Sequence, residues 1–529
     1  MFINTIIKKL NYLIQKGRAE NKEPVKKVIG PINPSLDYSK NIIKEHLGQD
    51  GDIKLHEFTF GENNHVNAFL LYIDGLVNPT ILTESILKAL MSAKGMEIKA
   101  NEEITVDKLC KEILYSADTS ECIDYDEALF AVVNGEVALF VEGMTETVTI
   151  DAKGWDKRSI AEPQTEAVVR GPREGFTENL RTNTTMIRRK IRNPELKIEN
   201  IKVGRKTRTD VSIIYIGGVA KAQLVATVKK RIKKLEVDAI LDSGYLEEYI
   251  DDHPLNLFAT IGYTEKPDVA AAKVLEGRVA IIVDGSPFAL TAPMFFVEAF
   301  QMSEDYYTRS LYSSINRVLR IFGYFIAIYA VPIFIALTTY HQELIPTKLL
   351  ISLINAKEGT PFPVFFETLI MVVAFEILRE AGLRLPRAIG QAISIVGALI
   401  IGEAAVAAGL VGTAVVITVA LAAVAGYTVP NQAEAISMIR ILMMFLATFL
   451  GGFGIAMGFI VFRIMLSKMT TFGMPYIGMS DPNSNLQDSF FRFPLWGMAK
   501  RPVNLAGYDK TRIKPFNPVE EARNEDKQQ

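Results

Sequence analysis

The chain has 529 residues, 49% hydrophobic and 22% charged, with 58 Lys and Arg against 60 Asp and Glu and a formal net charge of −2. That length predicts several domains. A chain so apolar and so nearly neutral is neither a disordered segment nor a nucleic-acid-coating polycation. The charge is unevenly spread: residues 321–462 hold 13 charged side chains in 142 positions, about 9%. Stretches 321–340 and 388–430 are long enough to cross a hydrocarbon core of about 30 Å. The composition predicts an integral membrane protein with a large N-terminal region outside the bilayer.

In chain order, residues 1–30 carry seven Lys or Arg and two Glu, and Ile6, Ile7, Leu10 and Ile14 share one helical face. Either a membrane-surface contact or a solvated tail accounts for them. The apolar run is too short for a secretory signal, and no small-residue cleavage site follows it. Residues 19–40, broken by Pro24, Pro31 and Pro34, read as a linker, so 1–40 form a basic tail and linker. A first α/β subdomain is expected over 41–158. It has strands at 55–60 and 66–73, a helix at 81–91 and a hairpin at 128–140 around Asn134-Gly135. A second is expected over 159–300. It has strands at 211–216 and 278–284, a helix at 221–232 and a strand-like start at 235–241. Neither shows an internal repeat. Cys110 and Cys122 lack CxxC or metal spacing and read as free thiols of a reducing compartment.

The membrane domain is expected over 301–480. A span at 321–340 contains Pro332, which can kink it. A loop over 341–363 leads to an apolar run at 364–378 that carries Glu367 and Glu376, then to a basic turn at 379–387. Residues 388–430 have one charge, Glu403, and are expected to fold back near 409–412; a last span covers 441–462 and a polar tail 481–529. Arg309, Arg317 and Arg320 before the first span, with Arg463 and Lys468 after the last, put both ends in the cytoplasm. That requires an even number of crossings, whereas this division gives five, so one of the four to five helices is expected to be re-entrant. The fold class is α+β with membrane α-helical: two small α/β cytoplasmic subdomains followed by a polytopic helical membrane domain.

Motifs of catalysis are missing from this reading. Gly204-Arg205-Lys206-Thr207 lacks the spacing of a phosphate loop, and Gly217-Gly218 lacks that of a dinucleotide turn. The five histidines are scattered without ligand spacing, so no metal, cofactor or enzymatic activity is expected. A basic cluster, Arg181, Arg188, Arg189, Lys190, Arg192, Lys197, Lys202, Arg205, Lys206 and Arg208, has no aromatic residue interleaved. It reads as a solvated or subunit-contacting surface, not a nucleic-acid site.

Glu403 is the most informative residue. A carboxylate inside an apolar stretch costs a few kcal/mol unless it meets water or a partner. Two readings stay open: pairing with a neighbouring helix, or lining a cation pathway. Its neighbours Gly402, Ala405, Ala407 and Gly409 are small, and Ala404, Ala408 and Gly412 repeat at i, i+4, a ridge that lets helices pack closely. On one helix through 389–411, Val396, Leu399, Val406 and Leu410 share the face of Glu403. These five are the pore-lining candidates, with apolar rings that close a narrow pore by dewetting and carboxylates that attract cations. Glu367 and Glu376, nine residues apart, lie about 180° apart on a helix. At least one is expected to pair with a neighbour such as Arg379 or Arg384.

Specific stretches carry a family resemblance. They are residues 166–190, 203–209 with Tyr215-Ile216, 238–249, Thr264-Glu265-Lys266-Pro267-Asp268, 275–287, Glu304-Asp305-Tyr306-Tyr307, 379–387 and 389–411. On these the chain resembles the A subunit of the GerA-type germinant receptors of bacterial spores, a family shared with the sporulation membrane protein SpoVAF. Lys266 stands where the family usually has arginine, and Gly412-Thr413 where Ser-Pro is common. The resemblance implies a cytoplasmic N-terminal region and a membrane domain in the spore inner membrane. It also implies a transporter-like B subunit and a lipoprotein C subunit as partners, and a homo-oligomeric ring, a pentamer, that conducts monovalent cations. Two functions are left open: a channel subunit that opens when nutrient is sensed, and a non-conducting scaffold or accessory subunit.

Overall fold

The computed structural model describes residues 30–48, 51–61, 66–92, 105–114, 118–154, 162–384, 397, 400–478, 488–502 and 504–513. They fall into two units. One holds the residues up to Pro254, Thr260–Met294 and the segment from Leu495; the other holds Leu255–Ala259 and Phe295–Pro494.

The first unit contains two five-stranded sheets. Strands β1 (Ile53–Phe60), β2 (Val66–Ile73), β3 (Thr119–Cys122), β4 (Glu136–Val141) and β5 (Thr147–Asp151) pair in the order β1-β2-β4-β5-β3, antiparallel throughout. Alternation along β2 and β4 explains their double burial. Val66, Ala68, Leu70, Val137 and Leu139 pack into one core, and Phe69, Leu71, Ala138 and Phe140 into another on the opposite face. The second core is closed by α1 (Leu36–Leu47) and α2 (Tyr125–Val133). Residues 125–133 are thus a helix, not the first arm of a hairpin. An apolar run of this length does not by itself separate strand from helix, and Asp126 and Glu127 suit a helical first turn.

Strands β6 (Leu196–Val203), β7 (Thr209–Ile216), β8 (Gly262–Thr264), β9 (Val279–Val283) and β10 (Ala289–Ala292) repeat the pattern as β6-β7-β9-β10-β8, again antiparallel. Helix α3 (Leu180–Lys190) precedes this sheet, α4 (Ala222–Lys233) and α5 (Ser243–Ile250) follow β7, and α6 (Pro267–Leu275) follows β8. The two subdomains share one strand order, a repeat of topology invisible as a repeat of sequence. Residues 235–241 form no strand. They hydrogen-bond to the β6–β7 turn, with Lys206 N donating to Asp238 O at 2.9 Å.

One member of the basic cluster is not at the surface. Arg188 on α3 is fully buried; its Nε and Nη2 donate to Asp52 at 2.7 and 2.9 Å, and its Nη1 donates to Leu196 O at 2.8 Å. Five donors in a planar fork suit such a bidentate grip. Asp52 directly precedes β1, so the pair ties α3 and the second sheet to the first. Further along, the segment from Leu495 returns to the second sheet, where Gly507 N donates to Val219 O at 2.7 Å and Leu505 is fully buried. Burial pushes the Glu276 carboxyl up, but Arg278 and Arg512 outweigh it and hold the group below the usual carboxylate range.

The second unit is helical: α7 (Ser310–Thr339), α8 (Thr347–Lys357), α9 (Val364–Arg384), α10 (400–407), α11 (Thr413–Gly426) and α12 (Ala433–Lys468). Its core gathers Val331 and Ile335 of α7, Met371 and Val372 of α9, Val415 and Val419 of α11, and Met444 and Ala447 of α12. The expected loop 341–363 contains α8. Within 388–430, the described residues 400–426 do fold back near 409–412, α10 against α11. By contrast, α12 is not one span. Gly451 (φ +59, ψ −141) breaks it, and a Cβ at Gly458 would meet Met443 Sδ at 2.6 Å. Fifteen residues of straight helix advance about 22 Å, so the chain must reverse at Gly451. Two antiparallel arms of 17–18 residues result, each about 26 Å long.

Two measurements test this packing. Asp52→Ala strands the buried Arg188 charge and is expected to lower unfolding free energy by about 3–5 kcal/mol in chemical denaturation. Because Glu276 titrates lower in the folded than in the unfolded chain, its contribution is present above the unfolded pKa and is lost as pH falls through the folded one. Glu276→Gln is therefore expected to flatten the acid limb of the stability–pH curve and to change little at acidic extremes.

Candidate functional site

The helical unit turns back on itself three times at one end: from α7 into α8, from α10 into α11, and between the arms of α12. Each turn frees backbone groups, and in apolar surroundings those groups need partners. Helix α10 closes with Gly409 in the left-handed region (φ +65). Gly409 N donates to Val406 O and Leu410 N to Ala405 O, both at 3.0 Å, a Schellman closure. Helix α11 then starts at N-cap Gly412, which has no side chain to cap with. Glu367, in the first turn of α9 and 1% exposed, supplies the cap: its Oε2 accepts Gly412 N–H at 2.8 Å and its Oε1 accepts Thr360 Oγ1–H at 3.2 Å. A carboxylate at a helix N-terminus is favoured by the dipole as well as by the hydrogen bond. At Gly451 the Tyr340 hydroxyl donates to Thr448 O at 2.7 Å, and Gly452 N donates to His341 Nε2 at 3.2 Å. Sequence reading missed Glu367, Tyr340 and His341 as partners of these turns. The run Gly451-Gly452-Phe453-Gly454 was the signal that could have located the last one.

Glu376 has a different role. Arg379 Nη2 lies 2.6 Å from its Oε2, Ser437 Oγ donates to its Oε1 at 2.6 Å, and buried Arg440 donates to Oε1 as well. Of Glu367 and Glu376, it is the one held by basic side chains.

Glu403 has no such partner. It is exposed on α10 and makes no hydrogen bond or ion pair among the described residues. Ala404, Ala407 and Ala408 are exposed beside it, while Gly402 is buried and Val406 half-buried against the helical core. The close helix approach is at Gly402, where a Cβ would meet Val416 Cγ1 at 3.0 Å. Two geometric expectations change. Leu410, 49% exposed, lies past the Schellman closure and does not continue the helical register of Glu403. Gly412 begins the next helix, so the Ala404–Ala408 ridge does not extend to it within one helix. Val396 and Leu399 lie outside the described residues.

The first unit has a cavity of about 280 Å³ lined by Asp74, Gly75, Arg181, Thr185 and Arg189 among others, with Arg181 Nη2 3.3 Å from Asp74 Oδ2.

The family described as Bacillus/Clostridium GerA spore germination protein matches residues 41–504. Spore germination protein KA of Bacillus subtilis (strain 168) is 41% identical over 487 residues, 91% of this chain and 88% of that protein. The uncharacterized membrane protein YfkQ of the same organism is 41% identical over 501 residues, 93% of this chain and 96% of that protein. A crystal structure of the N-terminal domain of the A subunit of the Bacillus megaterium spore germinant receptor GerK3 is 33% identical, with a TM-score of 0.42. It covers 51% of this chain and 99% of that one.

Removing the Glu367 cap tests the turn. Glu367→Ala leaves the buried Gly412 amide without an acceptor and is expected to cost about 1–3 kcal/mol. Glu367→Gln keeps an acceptor and is expected to cost less, both read as the melting temperature of the detergent-purified chain.

Proposed function

The chain belongs to the GerA spore germination family, and on that premise we propose that it is the A subunit of a nutrient-responsive germination receptor, assembled as a ring that passes monovalent cations. The observation that carries the reading is the outward face of α10. Glu403 stands there unpaired among exposed alanines, in a segment with no other charge from 388 to 430. In a membrane such a carboxylate has to meet water or a partner chain. A ring of copies joined through Ala404 and Ala408 meets both needs: small residues let helices approach, and the carboxylates face a shared lumen. Val396 and Leu399 remain the proposed apolar lining, whereas Val406 packs against the helical core and Leu410 lies past the end of the helix.

Charge placement supports a cytoplasmic N-terminal region. Arg309, Arg317 and Arg320 lie at the start of α7, Arg379 and Arg384 at the end of α9, Arg440 near the start of α12, and Arg463 and Lys468 at its end. The opposite ends carry Lys348 and Lys357 offset by Glu343 and Glu358. With α12 read as two passes and 388–430 as two, the count is six, the even number that this asymmetry requires. The spore inner membrane, a pentameric ring, and transporter-like B and lipoprotein C partners complete the proposal.

Cation flux from vesicles reconstituted with the purified chain tests it. Flux is expected from the native chain, and Glu403→Gln is expected to lower flux or cation selectivity with an unchanged melting temperature. A lower melting temperature with unchanged selectivity would mean that Glu403 is a packing residue. A native chain that assembles but passes no ion would be a scaffold.

A further inference from the structure

Helix α8 is an 11-residue segment, and none of its residues is buried. At 100° per residue, Leu349, Leu353, Leu350, Ile354 and Ile351 occupy an arc of about 200°, interrupted only by the helix-end residues Thr347 and Lys357, and Lys348, Asn355 and Ser352 fill the opposite side. The middle of the apolar arc, Leu350 and Leu353, is half-buried, so it is the side turned to the rest of the helical unit. The two flanks overhang: Leu349 is 53% exposed on one, Ile351 and Ile354 53% and 57% on the other. Leu344, just before the helix, is 69% exposed.

The position of α8 says what covers those flanks. Three chain reversals of the helical unit lie at one end, and α8 lies among them. Gly359, just past its C-terminus, has its carbonyl 3.7 Å from a Cβ built at Gly409, and the Ala356 carbonyl is 3.6 Å from one built at Gly412. Thr360 binds the Glu367 carboxylate that caps α11. Tyr340, 46% exposed, marks the same end of α7, where aromatic residues concentrate at membrane boundaries. Outward faces of the neighbouring helices are apolar and exposed as well, as at Phe366, Ile370, Leu421 and Ile460. The flanks of α8 continue that apolar belt at its edge, where it meets the polar turns.

We propose that α8 lies in the headgroup–acyl boundary of a phospholipid bilayer, with Leu349, Ile351 and Ile354 among the lipid chains and Lys348, Ser352 and Asn355 in the aqueous layer. A helix so placed seats its apolar side about 5–10 Å deep. It holds the α10–α11 turn at a fixed depth, because Thr360 and Glu367 join its C-terminal end to Gly412. This inference rests on the membrane reading of the helical unit, and the test separates the two.

The experiment uses the full chain with Trp155→Phe and Trp496→Phe, so that a single introduced tryptophan reports. Variants Ile354→Trp, Asn355→Trp and, within the second arm of α12, Ile460→Trp are reconstituted into phosphatidylcholine vesicles brominated near the headgroup or near the chain ends. Ile354→Trp is expected to emit at short wavelength and to lose more emission to bromines near the headgroup. Asn355→Trp is expected to stay open to aqueous iodide, and Ile460→Trp to lose more emission to bromines at the chain ends. Short-wavelength emission from Ile354→Trp that neither lipid quenches would mean that protein covers the face, a second copy or another subunit, and overturns the proposal. Iodide quenching at that position overturns it too, placing the face in water. If Ile460→Trp is quenched by lipid while Ile354→Trp is not, only α8 has been misassigned. If neither is, the membrane reading itself fails.

Discussion

Where an apolar chain turns back on itself, its freed amides and carbonyls have to find partners inside the protein. The helical unit is organised by that constraint. Gly412 at the start of α11 has no side chain, and the Glu367 carboxylate of α9 takes its amide. The break at Gly451 is taken up by Tyr340 and His341 from the end of α7. Each turn is therefore tied by a residue from another helix, so the helices hold one another's ends in place. Glycine is needed at Gly409 and Gly451 because both adopt positive φ, and at Gly451 a Cβ would also press on the Tyr340 ring at 3.0 Å.

The first unit meets its constraint differently. Two sheets with the same strand order each bury apolar residues beneath helices, and a buried polar grip between them is Arg188 on Asp52. A buried guanidinium is tolerated because all three of its nitrogens are occupied, two on the carboxylate and one on the Leu196 carbonyl. The segment from Leu495 joins the second sheet through backbone bonds and the Glu276–Arg512 pair.

The proposed function rests on what the helical unit leaves outside. Glu376 is paired with Arg379 and Arg440, and Glu367 accepts the amide at a helix terminus. Glu403 is the acid of this segment that packing does not absorb. Small residues surround it, and its helix turns an apolar side inward through Gly402 and Val406. A carboxylate placed outward on such a helix makes sense in an assembly of copies, and the proposed ring supplies one.

Hydrophobic runs were enough to locate β1, β2, β7, β9, α4 and α7, because burial on both faces or on one stripe writes itself into the pattern. The reversal near 409–412 was legible from its glycines, and the unlike fates of Glu367 and Glu376 from their nine-residue spacing. Other features depended on residues far apart in the chain. Residues 125–133 are helical because they cover one face of a sheet, not because of their own composition. Arg188 is indistinguishable in sequence from the exposed basic residues beside it; Asp52, 136 positions away, decides its burial. The run 441–462 reads as one span, since it is apolar and uncharged on both sides of Gly451. The reversal there depends on contacts between Met443 and Gly458 and on donors from α7. Local pattern determines which segments become apolar helices and strands. Which backbone groups and charges end up satisfied, and by whom, is decided only when distant segments meet.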